Sequence, residues 1–546
     1  MTMKPQTLNA SIIALALAVA VAGAPRTADA GGSNRSPLRP TITQKVRAKV
    51  PRTKTRTQGR VKRVMRRLFK QPKVVTAEKA ASLIKGGDKV WIPVGQVTSN
   101  LILKTMAGQI KSGAKKVDPK KPIELVGLSN TASRSVFDRE GKVVPHSLFI
   151  GGNAREPIAA GRGDFVPVYF GRIPRMLKEH KVAVDVAVVQ VSRPDALGFV
   201  TLGPTAGATR AALSEAKTVI AQVNNRVPRT RGATRIHISK LDYVVKANEA
   251  LTPIPAAKIT ATDKKIASHI VKLVLKDQRP ARQPRTMLGR AMARIKTKLK
   301  GDKDAPTFQF GIGGIPDAVA GQLAESKQVK ACKVRSELIG AGTRKLVESG
   351  KVRGKVKYTF AMGDESFLRW MNNNPKLKAQ RVDNLNDPFK IAKVPNMVAV
   401  NSAMKVDLNG QVNAQFIRDN WYSGVGGQVD FMRGAMGSKG GKAILALPSV
   451  AEVKDGKGGK KLISKIVPKL GEGDVVTTNM HDVQYVVTEH GVAALEGKTT
   501  IERARALIKV AHPQFRQQLT ADLDAQLASR KAGEQKRYEA YKAAAK

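Results

Sequence analysis

The sequence predicts an α/β protein that consists of two related domains with parallel or mixed sheets. Residues 87–106 go from a β-rich run through Gly95 into a helical pattern, and residues 308–323 repeat that plan around a glycine-rich turn. A continuous apolar run, VDVAVVQVS at residues 184–192, is typical of a strand that is covered on both faces. Because both halves of the chain open with strand, glycine turn and helix, we expect two domains of one type.

The chain of 546 residues is long enough for two or three domains. We expect the first α/β domain at residues 78–240 and the second at 241–520, with a basic tail at 521–546. Residues 276–304 are rich in arginine and lysine and include two prolines, which is typical of a basic surface insertion. Residues 1–77 are predicted to be a targeting segment followed by a basic arm.

The N-terminal segment combines two kinds of targeting signal. An apolar run at residues 10–24 precedes a small-residue cleavage pattern, as in a secretory signal. Residues 31–77 contain no Asp or Glu and many Arg, Lys and Thr, which is typical of an organellar presequence or an RNA-binding arm. We expect a mitochondrial protein, with a secretory or two-step plastid route as the alternative. The apolar run is too short for a comfortable transmembrane helix, so we expect no stable membrane span.

The charge balance is the unusual feature of the composition. There are 96 Lys and Arg residues against 42 Asp and Glu residues, a formal net charge of +54, so polyanions should be attracted. The single cysteine, Cys332, excludes an intramolecular disulfide and fits a reducing compartment. We expect no metal site, because the seven histidines are scattered and there is no second cysteine to join them.

The loop SGVGGQVDF, which begins at Ser423, is the first candidate binding element. Glycines let a backbone turn with positive φ and approach a ligand closely, since no Cβ intervenes. Apolar, strand-like runs precede and follow this loop, which places it between strands rather than in a linker. The alternative interpretation is an ordinary tight connection.

Glu337 is the second candidate. It stands where a β-like run from Lys330 ends and a helical pattern soon begins. Side chains at the C-terminal end of a strand in an α/β sheet face the crevice where ligands bind. The alternative is a surface glutamate that pairs with Lys333 or Arg335.

With these pieces in order, the chain resembles the acetyl-CoA hydrolase/transferase family of CoA-transferases, which includes the 4-hydroxybutyrate, butyryl and succinyl:acetate enzymes. The resemblance covers about residues 77–519. It rests on these blocks, in the family's order: SLFIGGNAREPIAAGRGDFVPVYFGRIPRML, VDVAVVQVSRPDALGFVTLG, FGIGGIPDAV, SEL, NDPFKIA, NSAMKVDLNGQVNA, SGVGGQVDF and VVTEHGVAALEGKT. Any single block is a weak signal, whereas so many in order are specific.

The resemblance implies a mechanism and a set of site residues. Glu337 matches the family's nucleophile, which forms an acyl-glutamyl anhydride and then a glutamyl-CoA thioester, and neighbouring lysine and arginine charge is expected to keep it ionised. The Asn386 amide and the Gly427 N–H match the donors to the oxyanion. The positions that match the family's CoA contacts are Gly311, Ile312, Gly313, Gly314, Ile315, Ser423, Gly424, Gly426, Gln428 and Lys439. Asn153 and Arg155 are candidates for the acceptor pocket.

The sequence departs from the family pattern in three places, one of which is the extra N-terminal arm. Gly340 and Ala341 stand where the family usually has a polar residue and Asp, which is expected to change how the catalytic loop is supported. The basic stretch at residues 276–304 replaces what is normally a very short link.

The implied function is transfer of CoA from an acyl-CoA, acetyl-CoA foremost, to a short-chain carboxylate. CoA is then a substrate, no metal takes part, and the family leads us to expect a homodimer. Hydrolysis of acetyl-CoA is an alternative, since both reactions use the same nucleophile. A further alternative is a CoA-transferase fold recruited as a structural RNA-binding component of an organellar ribosome or similar particle, because one small ligand does not call for a charge of +54.

Overall fold

A computed structural model describes residues 71–276, 286–287 and 305–544, except 138–139, 418–419 and 456–457. The predicted targeting segment, most of the basic arm and nearly all of the predicted insertion lie outside these residues. Within the described part, two eight-stranded sheets form the two halves of an α/β fold. The predicted fold class is confirmed.

The first half is built on a sheet in which all neighbouring strands are parallel. Its strands are β1 (Lys73–Val74), β2 (Lys89–Ile92), β3 (Ile123–Gly127), β4 (Val143–Ser147), β5 (Asp164–Phe165), β6 (Val186–Val191), β7 (Phe199–Thr201), β8 (Thr218–Asn224), β9 (Arg235–His237) and β10 (Tyr243–Ala247). The sheet order is β1-β10-β8-β6-β2-β3-β4-β5, while β7 and β9 form a separate antiparallel pair. Every residue of β6 is buried, as predicted for a strand covered on both faces.

The helices of this half cover the two faces of the sheet. They are α1 (Ala77–Ser82), α2 (Asn100–Lys111), α3 (Arg155–Ala159), α4 (Ile173–Lys178) and α5 (Thr209–Glu215), and a short 3-10 turn, Phe170–Arg172, precedes α4. The sheet extends past the expected domain boundary at residue 240, because β10 pairs with β8. The next helix, α6 (Ala261–Lys276), packs against elements of the second half.

The second half is built on a mixed sheet. Its strands are β11 (Thr307–Phe310), β12 (Lys333–Ile339), β13 (Val356–Ala361), β14 (Leu377–Ala379), β15 (Met397–Ser402), β16 (Lys405–Asp407), β17 (Val412–Asn413), β18 (Phe416–Ile417), β19 (Asn420–Trp421), β20 (Lys442–Ala446), β21 (Val450–Lys454), β22 (Lys460–Ser464), β23 (Ile466–Val467), β24 (Tyr485–Thr488) and β25 (Gly491–Ala494). The main sheet has the order β14-β13-β12-β11-β15-β20-β24-β25 and is parallel except for the β24–β25 pair. The remaining strands form small sheets beside it.

The second half also carries the longest described helix. Its helices are α7 (Gly314–Glu325), α8 (Ala341–Glu348), α9 (Glu365–Met371), α10 (Val382–Leu385), α11 (Pro388–Ala392), α12 (Gln428–Met436), α13 (Thr500–Val510) and α14 (Pro513–Ala544). Leu519 and Leu523 on α14 are buried, so the predicted basic tail from residue 521 begins in the packed part of this helix, and residues 528–543 are exposed. No described helix combines the length and the apolar character that a membrane crossing needs.

The C-terminal edges of the two sheets face each other at a packed junction. Phe360 on β13 belongs to the hydrophobic core of the first half and lies edge-on to Phe170, with 6.0 Å between ring centroids. Gln96, which follows β2, donates to Gly363 O at 2.6 Å and accepts from Gly363 N at 2.9 Å. Ligand crevices of α/β sheets open at such C-terminal edges, so a site can draw residues from both halves.

Candidate active site

Glu337 lies near the C-terminal end of β12, at the edge where the two sheets meet. The preceding residue, Ser336, is buried and locks β12 to β11, because its hydroxyl donates to Phe310 O and accepts from Phe310 N, each at 3.0 Å. Side chains alternate along a strand, so Glu337 projects from the opposite face of the sheet. The structure therefore places Glu337 at a strand end, as the sequence indicated.

Asn386 is the hydrogen-bond partner of Glu337. Its side-chain amide donates from Nδ2 to Glu337 Oε2 at 2.5 Å, and Asn386 is 1% exposed. Asn386 is the C-cap of α10, and its backbone N–H donates to Val382 O at 2.8 Å. The end of this short helix therefore presents the amide to Glu337 in a fixed position.

Arg335 holds the end of α10 in place. It lies on the same face of β12 as Glu337 and is buried. Its guanidinium donates to Asn384 O at 2.7 Å and to Leu385 O at 2.9 Å. Since these carbonyls directly precede Asn386, Arg335 positions the amide and does not pair with Glu337. The alternative of a surface glutamate paired with Arg335 is therefore wrong.

Gly427 completes the group around the Glu337 carboxylate. A Cβ placed on Gly427 would overlap both Glu337 Oε2 and Asn386 Nδ2, so the glycine backbone packs directly against these atoms. The neighbouring Gly426 has a φ of +56°, a conformation that L side chains rarely adopt. Gly427 is the N-cap of α12, and its N–H has no hydrogen-bond acceptor in the described part of the chain. The N-terminus of a helix thus lies next to the carboxylate, where the helix dipole favours negative charge.

Asp430 supplies a second buried carboxylate, in the first turn of α12. It is 5% exposed and accepts a hydrogen bond from Gly171 N–H at 3.0 Å, which ties the first half of the chain to α12. Burial raises the pKa of Asp430 to about 7, while hydrogen bonds from Gly171 and Asn386 and the charge of Arg433 oppose that shift. Two carboxyl groups therefore flank the Asn386 amide.

The sequence predicted that neighbouring lysine and arginine charge keeps Glu337 ionised, but the structure raises the pKa of Glu337 instead. Burial raises the pKa of Glu337 to about 8, the Asn386 hydrogen bond opposes this shift, and the charge of Asp430 adds to it. The prediction was wrong because the basic neighbours in sequence are directed elsewhere. Arg335 binds backbone carbonyls, and Lys333 begins β12, about 13 Å back along the strand. Glu337 as a whole residue nevertheless keeps an intermediate solvent exposure.

The first half of the chain also shapes the candidate site. Phe170 N–H donates to Gly426 O at 2.9 Å and so fixes the glycine loop from the other half. A Cβ on Gly426 would lie 3.2 Å from the Phe149 ring and 3.8 Å from Glu337 Oε1, which puts the partly exposed Phe149 ring beside the carboxylate. The next residue after Phe170 is Gly171, which binds Asp430.

Sequence reasoning missed Phe149, Gly171 and Asp430 as members of the site. For Asp430 a signal existed, since it stands in the GVGGQVDF block, about one helical turn after Gly427. Phe149 and Gly171 lie in one of the resembling blocks, but no local pattern distinguishes them from their neighbours.

The predicted Gly311–Ile315 turn lies beside β12, the strand that carries Glu337. It follows β11, the neighbour of β12, and Gly311 N–H donates to Val400 O at 2.8 Å. Gly313 has a φ of +122° and Ile312 is 55% exposed, so the turn is accessible just before α7 begins at Gly314. The structure thus brings this turn and Glu337 to one edge of the sheet.

The other predicted loop residues pack around the glycines. The Ser423 hydroxyl donates to Gly424 O at 3.3 Å, and a Cβ on Gly424 would lie 3.0 Å from the Phe165 ring. The Gln428 amide donates to Thr478 Oγ1 at 3.2 Å, so its side chain supports the start of α12.

The structure does not bring Lys439 to the Glu337 group. Lys439 follows the C-terminal end of α12, and its carbonyl accepts from Asn396 N–H at 2.9 Å, at the N-terminal edge of β15. Gly427 is at the other end of this nine-residue helix, which is about 13 Å long. Lys439 is exposed and lies apart from the carboxylate.

Of the two residues predicted for the acceptor pocket, Arg155 contacts the residue before the glycine loop. The Arg155 guanidinium is 3.5 Å from the centre of the Tyr422 ring, and its Nε donates to Tyr422 O at 2.8 Å, directly before the loop. The Asn153 amide donates to Asn130 Oδ1 and to Ala132 O, each at 3.0 Å. Arg155 therefore links the first half to the loop, whereas Asn153 holds the first half together.

The described residues include no group of three or more His, Cys, Asp or Glu side chains that could hold a metal ion.

Cys332 is buried directly before β12, and burial raises the pKa of its thiol to about 12. The thiolate is the reactive form of cysteine, so Cys332 is a poor nucleophile here.

Comparisons with known proteins identify relatives over most of the chain. Two models of one family match, the acetyl-CoA hydrolase/transferase N-terminal domain at residues 59–255 and the C-terminal domain at residues 363–523. The chain is 38% identical over 462 residues to a 4-hydroxybutyrate coenzyme A transferase of Clostridium kluyveri, which covers 82% of this chain and 96% of that protein. It is 36% identical over 451 residues to a succinyl-CoA:acetate/propanoyl-CoA:succinate CoA transferase of Fasciola hepatica, covering 80% of this chain and 84% of the relative.

Solved structures agree with these sequence relatives. The crystal structure of RipA from Yersinia pestis superimposes with a TM-score of 0.69 at 27% sequence identity, over 85% of this chain and 99% of that one.

Proposed function

Because the chain belongs to the acetyl-CoA hydrolase/transferase family, and so is an enzyme of that kind, we propose that it transfers CoA from acetyl-CoA or another short acyl-CoA to a short-chain carboxylate. The observation that carries the proposal is the contact of the Glu337 carboxylate with the Asn386 amide and the Gly427 backbone. The names of the relatives, which specify 4-hydroxybutyrate, succinate, acetate and propanoate, support short acyl groups.

Glu337 acts as a covalent nucleophile in this proposal. A carboxylate oxygen attacks the thioester carbonyl carbon, the C–S bond breaks, and CoA leaves as the thiolate, which yields an acyl-glutamyl anhydride. The thiolate then attacks the Glu337 carbonyl carbon and expels the acyl group as a free carboxylate, which leaves a glutamyl-CoA thioester. The incoming carboxylate reverses both steps and takes the CoA away. No redox partner is needed, because each step exchanges one acyl bond for another.

Asn386 and Gly427 stabilise the oxyanion that each attack creates. Both lie against the Glu337 carboxylate, and Gly427 N–H has no other acceptor in the described residues. Donors that are fixed in advance stabilise a developing negative charge without reorganisation, and one such donor typically contributes about 10²–10³-fold in kcat.

The protonation state of Glu337 must change before it attacks. Because burial and the charge of Asp430 raise its pKa to about 8, the free enzyme holds much of Glu337 as the neutral acid at pH 7. A pKa near the working pH keeps a useful ionised fraction together with a more nucleophilic carboxylate. We therefore expect activity to rise between neutral and mildly alkaline pH.

The proposal is tested by turnover with acetyl-CoA and a panel of carboxylates such as butyrate, succinate and 4-hydroxybutyrate. The expected result is acyl-CoA formation from at least one of these acceptors, and loss of formation in Glu337→Ala. Full activity of folded Glu337→Ala would contradict the role of Glu337. Failure of every acceptor, with a thioester still cleaved, would instead favour the hydrolase.

Acetyl-CoA hydrolysis is the second candidate, and the partial exposure of Glu337 favours it. Water that reaches the glutamyl-CoA thioester would release CoA without an acceptor. Release of free thiol in the absence of carboxylate measures this reaction. A rate comparable to that with acceptor assigns a hydrolase, whereas a rate many times slower assigns a transferase.

A structural role in an RNA-protein particle remains a separate proposal, because the chain carries a net charge of +54. Electrostatic binding to a phosphate backbone depends strongly on salt and little on sequence. Co-sedimentation of the full-length protein with RNA at low salt, and its release at high salt, is the expected result. Free migration at low salt would remove this role.

Two further proposals concern the whole protein rather than the site. We propose mitochondrial targeting by residues 1–77, with another organelle as the alternative, and imaging of the full chain fused to a fluorescent protein decides between them. We also propose a homodimer, for which light scattering is expected to give twice the mass of 58.8 kDa. A monomeric mass would contradict it.

A further inference from the structure

A cavity with a volume of about 540 Å³ lies where the two halves of the chain meet. Its eleven lining residues include five cationic side chains: Arg229, Arg231, Arg235, Lys355 and Lys378. In the whole chain 96 of 546 residues are Lys or Arg, so the lining is much more basic than even this basic protein. The volume falls in the range of small-molecule pockets, about 300–1,000 Å³.

This cavity is separate from the candidate active site. Lys355 directly precedes β13, and Lys378 in β14 pairs with Lys357, the second residue of β13. Glu337 is level with Thr359, near the other end of β13, as the pairing of its neighbours on β12 shows. The distance from Lys355 to Thr359 along the strand is about 13 Å.

Hydrogen bonds between the two halves hold the cavity walls together. Asn373 N–H donates to Arg229 O at 2.7 Å, and Ala379 N–H donates to Arg231 O at 2.9 Å. In the other direction, Ala233 N–H donates to Ala379 O at 2.9 Å. The cationic side chains are therefore kept near one another by the fold, although like charges repel.

Only part of this charge is neutralised within the described residues. Asp195 forms ion pairs with Arg229 at 3.2 Å and with Arg235 at 3.6 Å, so the two arginines share one carboxylate. Arg231, Lys355 and Lys378 are exposed and form no ion pair in the part of the chain that the structure describes. The cavity thus has an uncompensated positive charge at a rigid junction.

We propose that this cavity binds a small polyphosphate anion of the class that includes nucleoside diphosphates and triphosphates. Such an anion brings several negative charges into a space of this size and offsets the repulsion among the cationic walls. Guanidinium groups bind phosphate oxygens through paired N–H donors, and the lysines add point charges. A ligand at this position contacts both halves, so it stabilises their junction.

The test is calorimetric titration of the full-length protein with inorganic tripolyphosphate at physiological salt. The cavity variant is Arg231→Gln/Lys378→Gln, in which both changed side chains are exposed. The control variant is Lys469→Gln/Lys509→Gln, which changes the net charge equally at exposed lysines that form no ion pair among the described residues. Circular dichroism and thermal unfolding check that both variants fold.

We expect about one tripolyphosphate per chain, with affinity reduced at least about tenfold in the cavity variant and within about twofold of wild type in the control. ATP and CoA, which both contain a pyrophosphate, then identify the source. The one whose binding weakens in the cavity variant but not in the control is the ligand type that the cavity takes.

Three results would overturn the proposal. The first is equal weakening in both variants, which would mean diffuse attraction to a basic surface. The second is the absence of saturable binding, or an effect confined to tripolyphosphate with ATP and CoA unaffected. The third is binding of single-stranded RNA, but not of tripolyphosphate, that the cavity variant abolishes.

Discussion

At the scale of single residues, the proposed catalysis depends on the Asn386 amide and the Gly427 backbone, which lie against one carboxylate. Replacing Asn386 by Ala removes the Nδ2 donor, which is 2.5 Å from Glu337 Oε2. We predict that kcat falls by about 10²–10³-fold while KM changes little, because the lost interaction belongs to the transition state. Steady-state kinetics with acetyl-CoA measure both constants.

Asn384→Ala is the matched control, because Asn384 lies two residues earlier and its side chain binds Gln380 instead. It should stay within a few-fold of wild type. A similar loss of kcat in both variants would mean that the loop, and not the Asn386 donor, is what matters.

The pH dependence of kcat/KM reports the carboxyl pair. Glu337 must be ionised to attack, and its pKa is raised to about 8, so kcat/KM should increase with pH up to roughly that value. Asp430, which faces Gly171, Asn386, Arg433 and Asp387, adds to this shift through its charge. Because the two groups interact, the apparent pKa values belong to the pair.

Asp430→Asn is predicted to move the rising limb to lower pH, since a neutral amide no longer opposes ionisation of Glu337. The pH profile of kcat/KM for acetyl-CoA checks this shift. An unchanged profile would show that Asp430 does not act on Glu337.

The sequence predicted which candidate residues come together, but not the charges around them. The order of the blocks identified Glu337, Asn386 and Gly427, which the structure brings into contact. The charge near Glu337 could not be predicted, because Arg335 is close in sequence yet turns to the carbonyls of α10, whereas Asp430 is distant in sequence and close in space.

At the scale of secondary structure, α10 positions the Asn386 amide and Arg335 positions α10. Arg335→Gln leaves the Asn384 and Leu385 carbonyls without their guanidinium donor, which should cost about 1–3 kcal/mol of unfolding free energy. We predict that kcat also falls about tenfold with little change in KM, and that Arg335→Lys recovers part of the loss. Thermal unfolding and steady-state kinetics on the same samples separate the two effects.

A variant that is less stable but keeps its kcat would restrict Arg335 to a structural role.

Secondary-structure elements could be predicted from the sequence where their hydrophobic pattern is strong. The buried strand β6 and the glycine turn after β11 follow directly from apolar runs and glycines. The four-residue helix α10 is too short to leave a periodic pattern, so its role had to come from the structure.

At the scale of the whole molecule, a buried carboxyl group needed for chemistry should lower stability at high pH. The pKa of Glu337 is about 8 in the folded protein and about 4.5 when unfolded, so the folded state binds the proton more tightly. Stability that this proton contributes is complete below about pH 4.5 and is lost as pH rises to about 8. Glu337→Gln removes this dependence.

We therefore predict that Glu337→Gln is more stable than wild type at pH 8.5, by a few kcal/mol of unfolding free energy at most, and that this difference shrinks toward pH 5. Differential scanning calorimetry at a series of pH values measures it. A difference that does not depend on pH would contradict the raised pKa.

The two-sheet architecture was predictable because each half repeats one strand, turn and helix plan, whereas the meeting of the halves was not. The first half contributes Phe149, Phe170 and Gly171 to the candidate site on the second half. No local sequence pattern predicts such contacts. The basic cavity at the same junction could not be predicted from the sequence either, because segments that are distant along the chain form its walls.

Peptide mapping by mass spectrometry after exposure to acetyl-CoA is the most direct measurement of covalent catalysis by Glu337. We predict a CoA mass on the peptide that contains Glu337, which disappears when a carboxylate acceptor is added and is absent from Glu337→Gln. Turnover without any adduct on that peptide, or an adduct on another side chain, would contradict it.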